Sequence, residues 1–225
     1  MAPYLSAEGH QRVTAAVAAA EKRTAGEIVT VVADKSDGYT DIAFAWAALV
    51  SFTALMLFAL FPDFFLGKIE WVVGGWNHEW TTREVLGIAA ALAILKFLGA
   101  YLLLLWQPLR FALIPGPIKT ARALGRAIDL FKVGAERRTH GRTGILIYLS
   151  MREHRAEIVA DEAIASKVAP ETWGEAMAAL LAHIKEGRHA DGMIAAVEKV
   201  GAVLAEHFPR AEDDQNELPD RLIEL

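Results

Sequence analysis

The chain has 225 residues, 54% of them hydrophobic, with 23 Lys and Arg against 28 Asp and Glu and a net charge of −5. That length holds one or two domains, and the slightly acidic balance excludes a broad nucleic-acid surface. The absence of cysteine excludes disulfides, thiolate catalysis and cysteine-ligated zinc.

The first twelve residues, MAPYLSAEGHQR, lack a basic start followed by an apolar run, so no signal peptide is expected there. Residues 6–24 read as a helix: Ser6 suits an N-cap, Val13, Ala16, Val17 and Ala20 fall on one stripe, and Gly26 suits the stop. EIVTVVA at 27–33 reads as a buried strand. Residues 42–61 then run twenty positions without a charge, and 85–106 run twenty-two with one, Lys96. At 1.5 Å per residue each reaches about 30 Å, the thickness of a bilayer core.

The linker 62–84 holds Trp71, Trp76 and Trp80, residues that favour the membrane–water boundary. It carries two basic residues, Lys68 and Arg83, against eight in residues 107–142. The positive-inside rule therefore predicts an inner-membrane protein with both termini in the cytoplasm and the Trp-rich loop outside. Lys96 lies near mid-span, where a charge costs about 2.5–3.5 kcal/mol, and the middle of the first span falls at Ser51 to Thr53. This depth match predicts that Lys96 faces the partner helix or a subunit interface near Ser51 or Thr53.

Pro115-Gly116-Pro117 marks a break. Residues 118–138 read as an amphipathic helix with Ala121, Leu124, Ile128 and Phe131 on one side. Lys119, Arg122 and Arg126 on another side suit anionic headgroups. Residues 144–150 and 155–160 read as a hairpin around the turn Met151–His154. A hairpin alone is marginal, so EIVTVVA is its expected partner. A short helix or turn at 161–168, a helix over 170–186 and a last helix over 193–208 complete the pattern, with Gly187 closing one helix and Asp191 capping the next.

These elements predict an α/β fold: one discontinuous cytoplasmic domain, residues 1–40 and 108–225, interrupted by a transmembrane hairpin at 41–107. The expected sheet has about three strands. The closing NELPDRLIEL reads as a latch whose Leu218, Leu222, Ile223 and Leu225 pack back on the domain, or else as a docking peptide.

This order resembles the TPM domain family in its bacterial membrane-inserted form. The carriers are GEIVTVVADKSDGY at 26–39, TGILIYLSMREHRAEIVADEAI at 143–164, Trp173, GRHADGMIAAVEKVGAVLAEHFP at 187–209 and NELPDRLIEL at 216–225. The resemblance implies a small α/β/α domain around a mostly parallel sheet. It also implies functions ranging from acid phosphatase activity and divalent-metal binding to accessory roles in photosystem repair or receptor assembly. The sequence departs from the phosphatase-like pattern after the second hairpin strand, where VADEAIASKV at 159–168 has no glycine. Close backbone approach to a phosphate is weakened there.

Asp34, Asp37, Asp41, Asp161 and Glu162 form a candidate set for a hard divalent cation, Ca or Mg. Solvated loop acids explain the same residues more simply. GRTG at 141–144, with Arg137, Arg138 and Arg142, lacks the phosphate-loop pattern. The histidines are scattered and no serine stands in a nucleophile elbow, so no catalytic residue is assigned. The reading is an accessory or interaction module in the membrane, with the lipid bilayer and another membrane protein or a second copy as partners. A metal-dependent phosphatase of low activity is the alternative.

Overall fold

Ser6 opens the first helix, α1 (Ala7–Glu21): its backbone is extended and its Oγ accepts the Gly9 N–H at 3.0 Å. The computed structural model describes residues 4–73, 79–134, 143–210, 218 and 220–225. Trp76, Arg137, Arg138, Gly141, Arg142, Asn216, Glu217 and Pro219 lie outside the described residues. After α1 come β1 (Glu27–Ala33), α2 (Thr40–Leu60), α3 (Pro62–Val73), α4 (Thr82–Leu104), α5 (Gln107–Leu113) and α6 (Gly116–Gly134). Then follow β2 (Gly144–Ser150), β3 (Arg155–Ala160), α7 (Glu162–Ala165), a 3-10 turn at Pro170–Trp173, α8 (Gly174–Ile184), α9 (His189–His207) and β4 (Ile223–Glu224).

The protein divides into two compact units, one of Met1–Asp37 with Pro115–Leu225, the other of Gly38–Ile114. The first is a mixed α/β unit around a four-stranded sheet in the order β3-β2-β1-β4. β1 pairs in parallel with β2, from Glu27 beside Gly144 to Ala33 beside Ser150. It pairs in parallel with β4 on its other side, while β2 and β3 form the expected antiparallel hairpin. The tail thus adds a fourth strand that periodicity over two residues did not reveal. The Leu225 N–H donates to the Val32 carbonyl and the Asp34 N–H donates back to the Leu225 carbonyl, both at 2.9 Å.

Both faces of the sheet are covered, which is why β1 and β2 are almost continuously apolar. On one face Ile28, Val32, Ile145, Ile147 and Leu149 meet Val13 and Val17 of α1, Leu180 of α8 and Val197, Val200 and Leu204 of α9. On the other Val31, Leu146 and Tyr148 meet Ala123, Ala127 and Phe131 of α6. The strand's period of two sends alternate residues to the two cores. Each fully buried Leu or Ile contributes about 1.5–3 kcal/mol. The buried stripe of α6 departs from the expected one. Ala123 and Ala127 face the sheet, while Leu124 is 40% exposed. Small side chains let this helix approach β3 and β2 closely, and the larger Leu124 is left outside.

Two glycines set helix spacing in this unit. A Cβ on Gly201 of α9 would lie 2.7 Å from the Ala20 Cβ of α1, and one on Gly192 would lie 2.9 Å from the Leu180 backbone oxygen of α8.

The second unit consists of α2, α3, α4 and α5. α2 and α4 run antiparallel: Phe44 stacks on Tyr101 at 4.8 Å between centroids, and the Ser51 hydroxyl donates to the Ala93 carbonyl at 2.9 Å. Ala43, Ala47 and Ser51 are buried at four-residue spacing along α2. Such small residues allow close helix contact. Thr81 and Glu84 form a capping box that starts α4. α3 is helical where a loop was expected. Its Phe65 packs on Phe58 of α2, and Trp71 is 86% exposed.

Candidate functional site

In parallel α/β sheets, functional groups gather where strands end at their carboxyl edge. β1 is followed there by Asp34, which is buried and accepts from the Arg152 Nε with its two oxygens at 2.8 and 2.9 Å. Arg152 follows β2, so the parallel register of β1 and β2 brings the pair together. The Tyr4 hydroxyl also donates to Asp34. The Tyr4 N–H and His10 Nε2 both bond to the Glu224 carboxylate, the latter at 2.8 Å. Burial first, and then the bond to Asp34, push the Tyr4 hydroxyl up to about 12. Beside this chain the Ser150 hydroxyl donates to buried Glu153, whose other oxygen accepts the Ser36 N–H at 2.8 Å.

The result is a polar clamp. It fastens the segment before α1, the end of β1, the hairpin turn and the last strand to one another. Charge-assisted bonds of this kind are the strong ones, and every carboxylate in the clamp accepts from a donor of the same chain. His154 closes the hairpin turn with a φ of 51°, in the left-handed region.

The five acids expected to converge on a cation fall in different places. Asp34 belongs to the clamp at the carboxyl edge of β1. Asp37 pairs with Arg122 at 2.7 Å. Asp41 lies in the first turn of α2, in the other unit. Asp161 and Glu162 stand at the opposite end of the sheet, because β3 runs antiparallel to β2 and ends beside Gly144. There Asp161 caps α7, accepting the Glu162 N–H at 3.0 Å. Among the described residues, no group of three or more His, Asp or Glu side chains is disposed to hold a metal ion.

A second carboxylate cluster sits at the amino end of β1 and meets the tail. Buried Glu21 accepts the Ile28 N–H at 2.8 Å and shares a side-chain hydrogen bond with Asp220. Buried Glu27 accepts the Leu218 N–H at 3.2 Å. Burial, reinforced by the charges of Glu27 and Asp220, pushes the Glu21 carboxyl up to about 8 against the pull of the Ile28 N–H. Leu218 and Leu222 insert on opposite faces of the sheet, so the tail latches across both cores. Leu225, expected in the latch, takes part through its backbone and leaves its side chain 51% exposed.

An open groove of about 260 Å³ separates the start of α1 from the start of α9. Asp191 was expected to cap α9 but lies inside its first turn. It receives Arg12 at 2.7 Å and Arg188 at 3.3 Å, and these two arginines, Arg12 first, hold its carboxyl below the usual range.

In the second unit, Lys96 is exposed and lines a mainly apolar groove of about 450 Å³ with Leu49, Val50, Thr53, Leu57, Phe65 and Leu92. Thr53 thus shares the groove with Lys96, while Ser51 is turned into the α2–α4 contact. Of the basic residues on α6, Arg122 is occupied by Asp37, Lys119 is half-buried and Arg126 is exposed.

Sequence reasoning missed the clamp, since Tyr4, His10, Arg152 and Glu224 are scattered along the chain. The nearest signal was the aliphatic LIEL at the end of the tail, too short to set a period.

No protein-family profile matches the chain, and no curated protein matches it. Among solved structures it is similar to the NMR structure of BA42 from the psychrophilic bacterium Bizionia argentinensis. The identity is 19% and the TM-score 0.57, over 100% of this chain and 98% of that one. At that identity the likeness extends to the fold alone.

Proposed function

We propose that this chain is an integral protein of the bacterial inner membrane whose cytoplasmic TPM-like α/β domain serves as an accessory or interaction module. The observation that carries this reading is the exposure of α4. It is 23 residues long, its most apolar 18-residue stretch has a mean hydropathy of 2.1, and no residue of that stretch is buried. Leu86, Ile94, Leu95, Leu102 and Leu103 are each more than half exposed along it. Water does not tolerate such a surface, whereas lipid does. α2, 21 residues long with a mean hydropathy of 2.2 over its most apolar 18 residues, forms the second arm of the transmembrane hairpin.

The resemblance to the TPM family supports the rest. The segments that carry it occupy β1 and its following turn, the β2–β3 hairpin, α9 and the tail. The clamp weighs toward a binding module over a phosphatase. Of the acids that metal-assisted hydrolysis would use, Asp161 and Glu162 stand at one end of the sheet and Asp34 at the other, where it holds the chain's own segments.

The reading is tested with reporters that fluoresce or acquire alkaline phosphatase activity according to compartment. Fusions after Leu225 report the cytoplasm, and insertions at residue 75 report the periplasm. A periplasmic signal at Leu225 overturns the orientation. Hydrolysis of a generic phosphomonoester by the purified chain, lost in Asp161→Asn without unfolding, replaces the accessory role with the enzymatic one.

A further inference from the structure

We infer that the Lys96 groove between α2 and α4 receives a transmembrane helix of another protein, one that carries an Asp or Glu at mid-bilayer depth. This rests on the membrane reading and names the chemistry of the partner. Lys96 and Thr53 are the polar members of a groove otherwise lined by apolar residues, Leu49, Val50, Leu57, Phe65 and Leu92 among them. Among the described residues, no carboxylate pairs with it. A lysine at that depth with no counter-ion among the described residues calls for one from outside.

Depth decides the source. Lys96 stands eight residues before the end of α4 at Leu104, about 12 Å along the axis. A lysine stem reaches about 6 Å toward the interface. A phospholipid headgroup therefore stays beyond direct contact, whereas a carboxylate fixed on a neighbouring helix meets the ammonium at its own level. A second copy of this chain is a poor occupant. A two-fold pairing through the groove sets Lys96 against Lys96, and like charges repel strongly where water is excluded. α4 has no residue of its apolar stretch buried, so its flank is open to a third helix.

The test places a photo-crosslinking amino acid at Thr53 of the full-length chain in native membranes, with Leu102 as a control position, and identifies the adducts by mass spectrometry. The expected result is an adduct from position 53 to a membrane protein with an acidic residue inside a transmembrane helix. Its yield falls at least tenfold in Lys96→Met and persists in Lys96→Arg. Lys96→Glu abolishes it, and a lysine in place of the partner's acid restores it. Lys96→Met makes α4 more apolar, so its alkaline-carbonate resistance serves as the check on insertion. An adduct to phospholipid alone, to a second copy, or to a helix without an acid overturns the inference, as does an unchanged yield in Lys96→Met. No adduct at position 53 from a membrane-embedded chain overturns it as well and leaves the membrane reading standing. Release of the wild-type chain by alkaline carbonate defeats the membrane reading itself.

Discussion

β2 and α4 are both built from aliphatic residues, yet they end in opposite environments. Every residue of β2 is buried, whereas the most apolar stretch of α4 buries none. In the α/β unit the chain supplies its own nonpolar solvent by covering both faces of a sheet. In the unit of Gly38–Ile114 the apolar surface is left over, and a helix satisfies its backbone internally without needing neighbours. The comparison teaches that apolar composition alone does not identify a core. What distinguishes the two regions is whether the backbone needs a partner. A strand must pair, so its side chains are gathered inside, while a spanning helix can stand in lipid.

The largest contrast is expected on truncation. Ile147→Ala removes packing from a closed core and is predicted to cost about 2–5 kcal/mol in chemical denaturation. Leu95, 69% exposed, leaves no cavity, and Leu95→Ala in lipid is predicted to cost less than about 1 kcal/mol. An equal loss at both positions breaks the distinction.

A pH effect of a few kcal/mol is expected from Glu21, whose carboxyl is raised from 4.5 to about 8. Between those values the folded state holds a proton that the unfolded state has released. Stability is therefore fully present below pH 4.5, falls as pH rises to about 8 and is level above it. Glu21→Gln removes this slope. A wild-type unfolding midpoint that does not decline across that window contradicts the assignment.

Glycine substitutions sharpen the same comparison. Gly192→Ala drives a methyl group against the Leu180 carbonyl and is predicted to destabilise the α/β unit by about 1–3 kcal/mol. Gly99 of α4 has open space around its Cβ direction, and Gly99→Ala is predicted to be neutral or to stabilise by about 0.5–1 kcal/mol. The smallest effect belongs to the Arg122–Asp37 pair on the surface. Arg122→Ala costs less than about 1 kcal/mol, and that loss shrinks in high salt.

The fold was legible where local pattern and tertiary demand agree. The hairpin reads from its apolar arm and polar turn, and β1 reads from its β-branched run, because both strands lie between covered faces. The two long apolar helices, α2 and α4, read from their length and lack of charge. Three features were hidden for physical reasons. β4 is two residues long, so no periodicity marks it, and it forms only because β1 offers a free edge. The face of α6 was misjudged because Ala123 and Ala127 are chosen for close approach, and a reading by hydrophobic size favours Leu124. The acids looked like one site because each follows a strand, but the antiparallel direction of β3 sends Asp161 to the far end. Strand direction is a property of pairing, which no local stretch of sequence displays.

The central claim is that α2 and α4 are solvated by lipid. Alkaline carbonate treatment of membranes carrying the full-length chain tests this most directly. The account predicts that the chain stays in the membrane pellet, while peripheral proteins are released. Recovery of the folded chain in the aqueous supernatant would contradict it.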